Sequence, residues 1–541
     1  MKKKVKRLKF NRALVMYVVI MLCLGICIFQ TGLINIRHVR TASGSKSSRS
    51  IEVSKSRGLI YDRNLNRLVC DETENVCVLK PTVSSLSLIK ASLSGEEYVE
   101  AVNSLGRGNL LLYHSAYEIK SKDTVNLKIY KRYNNQLASH LVGVYSDVSG
   151  KGLSGIEKSF DDYLNSFSGI LNVRYFANGS GEIFQGGELQ ISDNGYNSVG
   201  GVCLTIDKNI QSMLEKAVDS NGLKKGCAIA VDISDGSVVA AVSRPDFDRN
   251  NISLYLNDKD AALFNRALGA YPVGSIFKPL IAAAALEQGI APETEFVCNG
   301  NIKSGGVTFH CMKSHGNMNM ASALVYSCNC YFVNLIKKLD ISEVLSLAES
   351  LGFGNEIELA DGLLSYSGNL PDLNQLDNDA EKANFSFGQG YITATSLQIA
   401  SLYCAIANSG KFYKPYLIKG WVDGNGVYSD SDNKKPAFKV FDKKTAEMLS
   451  SFLELAVREG TGKNAESEYC DVAGKTATAQ TGEFNNGTER LVTWFAGFFP
   501  YNKPEYVVAI MCEDGESGSI DCAPVFSDFV NALTEYEQHL K

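Results

Sequence analysis

A long apolar segment near the N-terminus is the strongest constraint on how this chain can fold. Residues 13–34 contain no charged side chain, and about 20 apolar residues let a helix span a bilayer. Seven basic residues and no acidic residue precede or border it: Lys2, Lys3, Lys4, Lys6, Arg7, Lys9 and Arg12. Because flanking Lys and Arg stay on the cytoplasmic side, the pattern predicts a single-pass membrane anchor with a cytoplasmic N-terminus and the large C-terminal part outside.

A cleaved signal peptide is the alternative interpretation of the same segment. No small-x-small cleavage site follows Phe29, and Leu-Gly-Ile before Cys27 lacks the small residue that a lipoprotein signal needs. We therefore expect a cytoplasmic tail at 1–12, an uncleaved anchor at 13–34 and a linker at 35–56. The linker contains the polar run SGSKSSRS at 43–50.

The charge of the remaining chain excludes one class of partner. Beyond the basic tail, the 541-residue chain carries 47 basic side chains against 59 acidic ones, a net charge of −12. Nucleic-acid binding depends on clustered Lys and Arg, so an acidic body predicts no nucleic-acid partner. The length, with 45% hydrophobic and 21% charged residues, predicts at least two globular units.

Two folded domains are expected after the linker. Short alternating runs in 57–200 predict a small N-terminal α+β domain. In 201–541, two strand-like runs are separated by Ser234-Asp235-Gly236, a sequence typical of a hairpin. Helices are predicted at 276–288, 343–351 and 396–408, and strands at 491–499 and 505–512. The second domain is therefore predicted to be α+β, with an antiparallel sheet flanked by helices.

Ser275 and Lys278 are the candidate catalytic pair. Only six His occur, and none lies in a nucleophile-elbow or metalloprotease motif. A serine can instead be activated by a neutral lysine on the same helix face. The Ala-rich run after Lys278 predicts a buried helix with Pro279 in its first turn, where a missing N–H is harmless. The same Ser-x-x-Lys spacing at Ser43/Lys46, Ser87/Lys90 and Ser431/Lys434 lies in linker or polar sequence, which predicts no site there.

Two further motifs follow in order and carry a resemblance to a known family. Ser327-Cys328-Asn329 is followed by Lys475-Thr476-Ala477-Thr478. Ser-x-x-Lys, Ser-x-Asn and Lys-Thr-Gly in this order resemble the signature of penicillin-binding proteins and serine β-lactamases. The segments 230–250, 385–415, 458–462 and 494–500 are also similar to those of penicillin-binding transpeptidases, so that the similarity covers about 202–535. Segments 57–69 and 152–164 resemble the two pedestal motifs of class B members, which lack a glycosyltransferase domain.

This resemblance implies a monofunctional peptidoglycan D,D-transpeptidase. It implies that Ser275 attacks the D-Ala-D-Ala carbonyl, with Lys278 as the base, and that an acceptor amine resolves the acyl-enzyme. Ser327 and Lys475 would relay the proton to the leaving amine, and Asn329 would hold the substrate amide. Backbone N–H groups of Ser275 and Thr478 would form the oxyanion hole, with Thr476 and Thr478 near the substrate carboxylate.

The resemblance also implies binding partners and leaves alternatives open. The expected partners are peptidoglycan stem peptides, β-lactams, the membrane and a SEDS-type glycosyltransferase contacted through the anchor and pedestal. A D,D-carboxypeptidase or β-lactamase of the same fold differs only in whether water deacylates the enzyme. A weakly acylating scaffold or β-lactam sensor is a further alternative.

Two positions depart from the family pattern. Ala477 stands where the family usually has Gly, on the strand along which substrate must lie. Because Gly is used where a backbone is closely approached, the extra Cβ is expected to crowd the ligand or tilt the strand. Val273 replaces the more usual Pro before Gly-Ser, and we expect a milder effect there.

A cluster of cysteine and histidine residues surrounds the Ser-x-Asn motif. Because the first and third side chains of the motif face substrate, Cys328 is expected to point into the protein. Four residues would suit tetrahedral zinc: Cys298, Cys311, His315 and Cys328. Such a zinc ion would be structural, because Ser275 supplies the nucleophile and no cofactor is expected for the chemistry. A Cys298–Cys311 disulfide or buried thiols are the alternatives.

Overall fold

A computed structural model describes residues 12–42, 47–90, 93–134, 136–177, 188–485 and 487–540. Except for Arg12, the predicted cytoplasmic tail therefore lies outside the described residues. The chain divides into two compact units that alternate along the sequence. The first contains 1–56, 73–130 and 169–197, and the second contains 57–72, 131–168 and 198–541.

An N-terminal helix carries the predicted membrane anchor. The helix spans Arg12–Ala42, and Val15–Leu33 within it has a mean hydropathy of 2.2. None of that segment is buried inside the protein, so its apolar side chains are available to lipid. The helix agrees with the prediction of a single-pass anchor.

Among the described residues, the rest of the first unit contains two small antiparallel sheets and two helices. One sheet has the order Ser47–Ser56, Gly169–Ala177 and Gln190–Asn194. The other places Thr73–Leu79 between Leu111–His114 and Thr124–Tyr130. The helices are Val83–Lys90 and Gly95–Gly106. Inward-facing residues of both sheets, among them Val78, Val173 and Tyr175, share one apolar cluster, which makes this part a small α+β unit.

A five-stranded antiparallel sheet forms the centre of the second unit. Its order is Val238–Arg244, Gly226–Asp232, Tyr506–Glu513, Thr488–Phe499 and Ala473–Asn485. The first two strands form the hairpin predicted at Ser234-Asp235-Gly236, and the predicted late strands are the third and fourth of the sheet. Ala473–Asn485, called the edge strand below, pairs on one side only.

Helices cover both faces of this central sheet, as predicted. Lys208–Ser220 and Ala523–Leu540 share an apolar cluster with Ala228, Ala230 and Val508 on one face. Cys227, whose side chain points to the opposite face, contacts Ser396 at the start of the helix Ser396–Ala407. The α+β fold with an antiparallel sheet between helices is therefore confirmed.

The second unit also contains further helices and short strands. The longer helices are Lys278–Glu287, Asn329–Ile336, Ile341–Ser350, Asp379–Ser386 and Lys443–Arg458. Helices of four to six residues lie at Ser139–Val142, Gly155–Ser159, Asp161–Asn165, Met320–Val325 and Gly518–Asp521. Strands of three to five residues are Leu59–Tyr61, Gly201–Leu204, Ala270–Pro272, Phe296–Cys298, Asn301–Ser304, Val307–His310, Gly316–Met318, Glu358–Ala360, Thr393–Thr395, Ile418–Val422 and Tyr428–Asp430. Two-residue strands lie at Tyr145–Ser146, Lys151–Gly152, Leu363–Leu364, Lys411–Phe412 and Phe438–Lys439.

The observed division differs from the predicted domain at 57–200, because two of its segments belong to the second unit. Leu59–Tyr61 pairs in parallel with Gly201–Leu204, which pairs in turn with Ile418–Val422. Arg57 donates to the Glu157 carboxylate at 3.0 Å, and Arg132 donates to the same carboxylate at 2.6 Å. Arg57 and Glu157 are buried, where each charge needs a charged partner. This ion-pair network ties 57–72 and 131–168 to each other within the second unit.

Candidate active site

Ser275 lies in a tight turn that leads into a buried helix. The 3-10 turn Gly274–Phe277 is followed directly by Lys278–Glu287, with Pro279 in the first turn of the helix as predicted. Side chains three residues apart lie above one another in a 3-10 turn, so Ser275 and Lys278 share one side of the chain. Gly274 has a φ of +61°, a conformation that favours glycine.

The ammonium group of Lys278 lies against the Ser-x-Asn motif. Its Nζ donates to Ser327 O at 2.8 Å, Ser327 Oγ at 3.0 Å and Asn329 Oδ1 at 2.7 Å. Lys278 is completely buried, and this burial lowers its pKa to about 7. With such a pKa about half of Lys278 is neutral at pH 7, so that the form a general base requires is available.

Ser327 and Asn329 are presented at a junction between two helices. Met320–Val325 ends just before the motif, and Asn329 is the first residue of Asn329–Ile336. Ser327 has a φ of +57°, which is uncommon for a residue other than glycine and is found at functional sites. Ser327 and Asn329 are partly exposed, whereas Cys328 between them is fully buried. The motif therefore presents its polar first and third residues on the open side.

The edge strand carries the third motif. Lys475 is completely buried, and its Nζ donates to Thr461 Oγ1 at 3.1 Å and to Thr476 O at 3.2 Å. Burial, with the nearby positive charge of Lys278 as the second cause, lowers the pKa of Lys475 well below its usual value. Thr478 is exposed on the same strand. The structure thus brings Lys278 and Lys475 close to each other. Lys278 forms a hydrogen bond with Ser327, and Lys475 forms one with Thr461.

The methyl group of Ala477 points at the Ser275 turn. Lys475, Ala477 and Ala479 lie on one face of the edge strand because side chains alternate along a strand. A Cβ added at Gly274 would lie 3.3 Å from the Cβ of Ala477, and Ala477 is only 3% exposed. The methyl group therefore fills space under the turn, and it is turned away from the exposed face that carries Thr478.

Four predicted metal ligands converge beside the second motif. The ligand atoms of Cys298, Cys311, His315 and Cys328 all lie within 4.8 Å of one another. Cys311 Sγ is 3.7 Å from both Cys298 Sγ and Cys328 Sγ, and Cys298 Sγ is 3.5 Å from His315 Nδ1. A tetrahedral zinc ion with Zn–S bonds of about 2.3 Å and Zn–N bonds of about 2.0 Å separates two sulfurs by about 3.8 Å and a sulfur from a nitrogen by about 3.5 Å. The residues therefore fit zinc.

Hydrogen bonds connect three of the sulfurs at this site. Those with Cys328 and Cys330 lower the pKa of Cys311, and the hydrogen bond with Cys311 raises the pKa of Cys328 and Cys330. Cysteine binds a metal ion as the thiolate, so a bound ion would favour the deprotonated form of its ligands. The 3.7 Å between Cys298 Sγ and Cys311 Sγ exceeds the about 2.05 Å of a disulfide, so these two residues are free thiols in the structure.

Comparison with known proteins agrees with this geometry. Residues 226–531 match the family model of the penicillin-binding protein transpeptidase domain, which is more than half of the chain. The chain therefore belongs to the penicillin-binding protein transpeptidase family. Its similarity to class B members extends beyond that domain, as the relatives below show.

The curated relatives resemble the chain over most of its length. It is 27% identical to stage V sporulation protein D of Bacillus subtilis, over 87% of this chain and 76% of the relative. It is 25% identical to the peptidoglycan D,D-transpeptidase MrdA of Haemophilus influenzae, over 97% of this chain and 91% of the relative. It is 26% identical to the peptidoglycan D,D-transpeptidase FtsI of Escherichia coli K12, over 74% of this chain and 67% of the relative.

Solved structures share the fold. The D,D-transpeptidase domain of a peptidoglycan glycosyltransferase from Eggerthella lenta matches with a TM-score of 0.64 and 25% identity, over 89% of this chain and 99% of that chain. Penicillin-binding protein 3 from Mycobacterium tuberculosis, complexed with aztreonam, matches with a TM-score of 0.66 and 23% identity, over 91% and 97%. The second match shows the fold alone.

Sequence reasoning gave no role to Thr461, although its segment was among those that resemble the family. Thr461 is a single hydroxyl residue 14 positions before Lys475, so spacing along the chain does not mark it. The only signal was the short run REGTG at 458–462. Its contacts with Lys475 and Thr476 appear only once the edge strand is placed.

Replacing Ala477 by Gly tests whether the methyl group obstructs the site. Because the group packs under the Ser275 turn, we expect the variant to lose about 1–2 kcal/mol of folding free energy. We expect its rate of acylation by a fluorescent penicillin to change by less than about threefold. Thermal unfolding and gel fluorescence measure the two quantities.

Ala479→Gly is the matched control for this substitution, because Ala479 lies on the same face and is also close to Gly274. It removes a methyl group outside the motif, and a similar loss of stability is expected. A large gain in acylation in Ala477→Gly, absent in Ala479→Gly, would show that Ala477 impairs the site.

Proposed function

We propose that Ser275 is the acylated residue of a peptidoglycan D,D-transpeptidase that also binds β-lactams covalently. The observation that carries this proposal is the buried Lys278 ammonium, held between Ser327 and Asn329 one turn after Ser275. Family membership and the names of the relatives MrdA and FtsI support the reaction class. The complexes of a structural neighbour with aztreonam and ampicillin support β-lactam binding.

The reaction follows from these positions as an acyl transfer in two halves. Neutral Lys278 takes the proton of Ser275 while Oγ forms a bond to the carbonyl carbon of the penultimate D-Ala. The C–N bond to the terminal D-Ala breaks, and that amine leaves with a proton relayed through Ser327 and Lys475. An acceptor amine then attacks the ester, gives up a proton and releases Ser275, which leaves a new peptide cross-link. Water in place of the amine gives the carboxypeptidase reaction.

The other motif residues bind and polarise the substrate. Asn329 holds the substrate amide through its side chain, and Thr476 and Thr478 lie near the terminal carboxylate. The N–H groups of Ser275 and Thr478 form the oxyanion hole. Support comes from the close approach of the turn to the strand, since a Cβ added at Gly274 would lie 3.2 Å from Thr478 O. In this arrangement Ala477 contributes its backbone, and not its methyl group, to the surface of the edge strand along which substrate lies.

The protein is anchored by 13–34 with its N-terminus in the cytoplasm and its catalytic unit outside the cell membrane. The basic residues before the anchor support this orientation. The likeness to class B members supports a membrane-embedded SEDS-type glycosyltransferase as the partner, contacted through the anchor and the pedestal predicted at 57–200. Such an enzyme would supply the glycan strands whose stem peptides are cross-linked.

The intact mass of the full-length protein after treatment with a fluorescent penicillin tests the nucleophile. One adduct is expected on the unmodified chain and none on Ser275→Ala, because Lys278 is buried whereas Lys90 and Lys434, the lysines of the other described Ser-x-x-Lys pairs, are exposed. Ser431→Ala, at another match to the spacing, is the control and keeps the adduct. Absence of an adduct on the unmodified chain at high penicillin would favour the non-acylating scaffold.

The pH dependence of acylation tests the role of Lys278. Burial lowers its pKa to about 7, so the neutral base is lost as the pH falls below that value and is gained as the pH rises. We expect the acylation rate to increase about fivefold from pH 6 to pH 7 and to level off above pH 8. Labelling with the fluorescent penicillin, quenched at fixed times at each pH, gives the rate profile. An acylation rate that does not change over this range contradicts a titrating Lys278.

A structural zinc ion held by Cys298, Cys311, His315 and Cys328 forms part of this proposal. Cys328 lies between Ser327 and Asn329, and Asn329 Nδ2 donates to His310 O at 3.1 Å beside Cys311. The metal would fix this loop and leave the acyl transfer to Ser275 and the two lysines. Cys330, with its Sγ 3.4 Å from Cys311 Sγ, is a neighbouring thiol outside the ligand set.

Metal content measured by plasma mass spectrometry tests the zinc site. About one zinc per full-length chain is expected, with loss of most of it in Cys328→Ser. Cys404→Ser is the control, because Cys404 is a buried thiol in the helix Ser396–Ala407 and its variant keeps the metal. A metal-free chain whose mass is lower by two hydrogens would support the Cys298–Cys311 disulfide instead.

A further inference from the structure

Thr461 lies outside the three motifs, yet its hydroxyl group is where two residues of the third motif meet. It follows the helix Lys443–Arg458 by three residues. Lys475 Nζ donates to Thr461 Oγ1 at 3.1 Å, and Thr476 Oγ1 donates to the same oxygen at 2.8 Å. Lys475 and Thr476 are 0% and 7% exposed, so each of these hydrogen bonds satisfies a polar group that water barely reaches.

The turn that carries Thr461 is fixed to the segment before the second motif. Thr461 N donates to Val325 O at 3.3 Å, two residues before Ser327. Gly460 lies so close that an added Cβ would be 2.3 Å from the same Val325 carbonyl oxygen, and only a residue without a side chain permits this approach. Backbone contacts thus fix Thr461 to the segment before the second motif, while its side chain contacts the third motif.

The Thr461 hydroxyl group can both accept and donate hydrogen bonds, which lets its hydrogen bond with Thr476 reverse direction. Thr461 Oγ1 accepts two hydrogen bonds here and keeps a hydrogen of its own. If an anion binds at Thr476, the Thr476 hydrogen can turn toward the anion. The Thr461 hydrogen can then donate along the same 2.8 Å oxygen–oxygen line, while Lys475 still donates to Thr461. The side-chain oxygens stay in place, and only hydroxyl hydrogens rotate.

We propose that Thr461 is a positioning residue that enables Thr476 and Lys475 to recognise the terminal carboxylate of the substrate. This inference rests on the proposed function, in which that carboxylate lies at Thr476 and Thr478. Thr461 acts through its two neighbours without touching the substrate. If Thr461 lacks its hydroxyl group, nothing donates a hydrogen bond to Thr476 once the Thr476 hydrogen turns toward the carboxylate. Lys475 also loses one of its two hydrogen-bond acceptors. Selectivity for a carboxylate over a neutral group at the same place then falls.

The test compares two thioester probes on the full-length protein in detergent. N-benzoyl-D-alanyl thioglycolate carries the carboxylate, and the corresponding thioglycolamide is neutral at that position. The loss of thioester absorbance gives kcat/KM for each probe, and the ratio of the two values measures carboxylate selectivity. We expect Thr461→Val to lower this ratio about tenfold, the scale of one hydrogen bond to a charged group. Thr461→Ser, which keeps the hydroxyl, is expected to stay within about threefold of the unmodified chain.

The matched control is Thr205→Val. Thr205 is 2% exposed and donates to Val238 O at 2.7 Å in the same unit, so its variant removes a buried hydroxyl away from the site. We expect a lower melting temperature with an unchanged selectivity ratio. An equal loss of activity toward both probes in Thr461→Val, or no loss, overturns the inference. If the unmodified chain consumes neither probe, or Ser275→Ala consumes them equally well, the proposed function itself is wrong.

Discussion

The arrangement of the site depends on the buried amino group of Lys278. Lys278 Nζ makes three hydrogen bonds to the Ser-x-Asn motif, and removing a charged group from water is costly unless its donors find acceptors. The chain meets this requirement by bringing the end of one short helix and the start of the next against the Lys278 helix. Ser327 takes a left-handed backbone conformation at this junction. The strained backbone of Ser327 and the burial of Lys278 are therefore linked, because Ser327 supplies two of the acceptors of the buried Lys278 amino group.

Around this contact, three different interactions support the three motifs. The cysteine and histidine cluster lies behind Ser327 and Asn329, with Cys328 shared between motif and cluster. Thr461 links the backbone before Ser327 to the side chains of Lys475 and Thr476. The Ala477 methyl group packs under Gly274. Two of these supports join residues more than 100 positions apart, Thr461 with Val325 and Ala477 with Gly274.

Much of the fold and of the site could be predicted from the sequence. The anchor, the hairpin at Ser234-Asp235-Gly236 and the helix after Lys278 follow from local patterns of apolar residues and turn residues. The four residues Cys298, Cys311, His315 and Cys328 could be identified because six cysteine and histidine residues fall within one stretch around the Ser-x-Asn motif. That 57–72 and 131–168 group with the second unit could not be predicted, because Arg57 and Glu157 pair across a hundred residues and local patterning carries no signal for such a pair.

The sequence by itself determined the class of protein. The order and spacing of the three short motifs, and the basic run followed by an apolar segment at the N-terminus, are properties of the chain alone. Only the tertiary structure decided which partner each motif residue contacts. The Ala477 methyl group packs against the Ser275 turn, Lys475 forms a hydrogen bond with Thr461, and Lys278 forms one with Ser327. Thr461 lies between the second and third motifs. The physical reason is that hydrogen bonds and burial depend on distances of about 3 Å between residues, and spacing along the sequence does not set those distances.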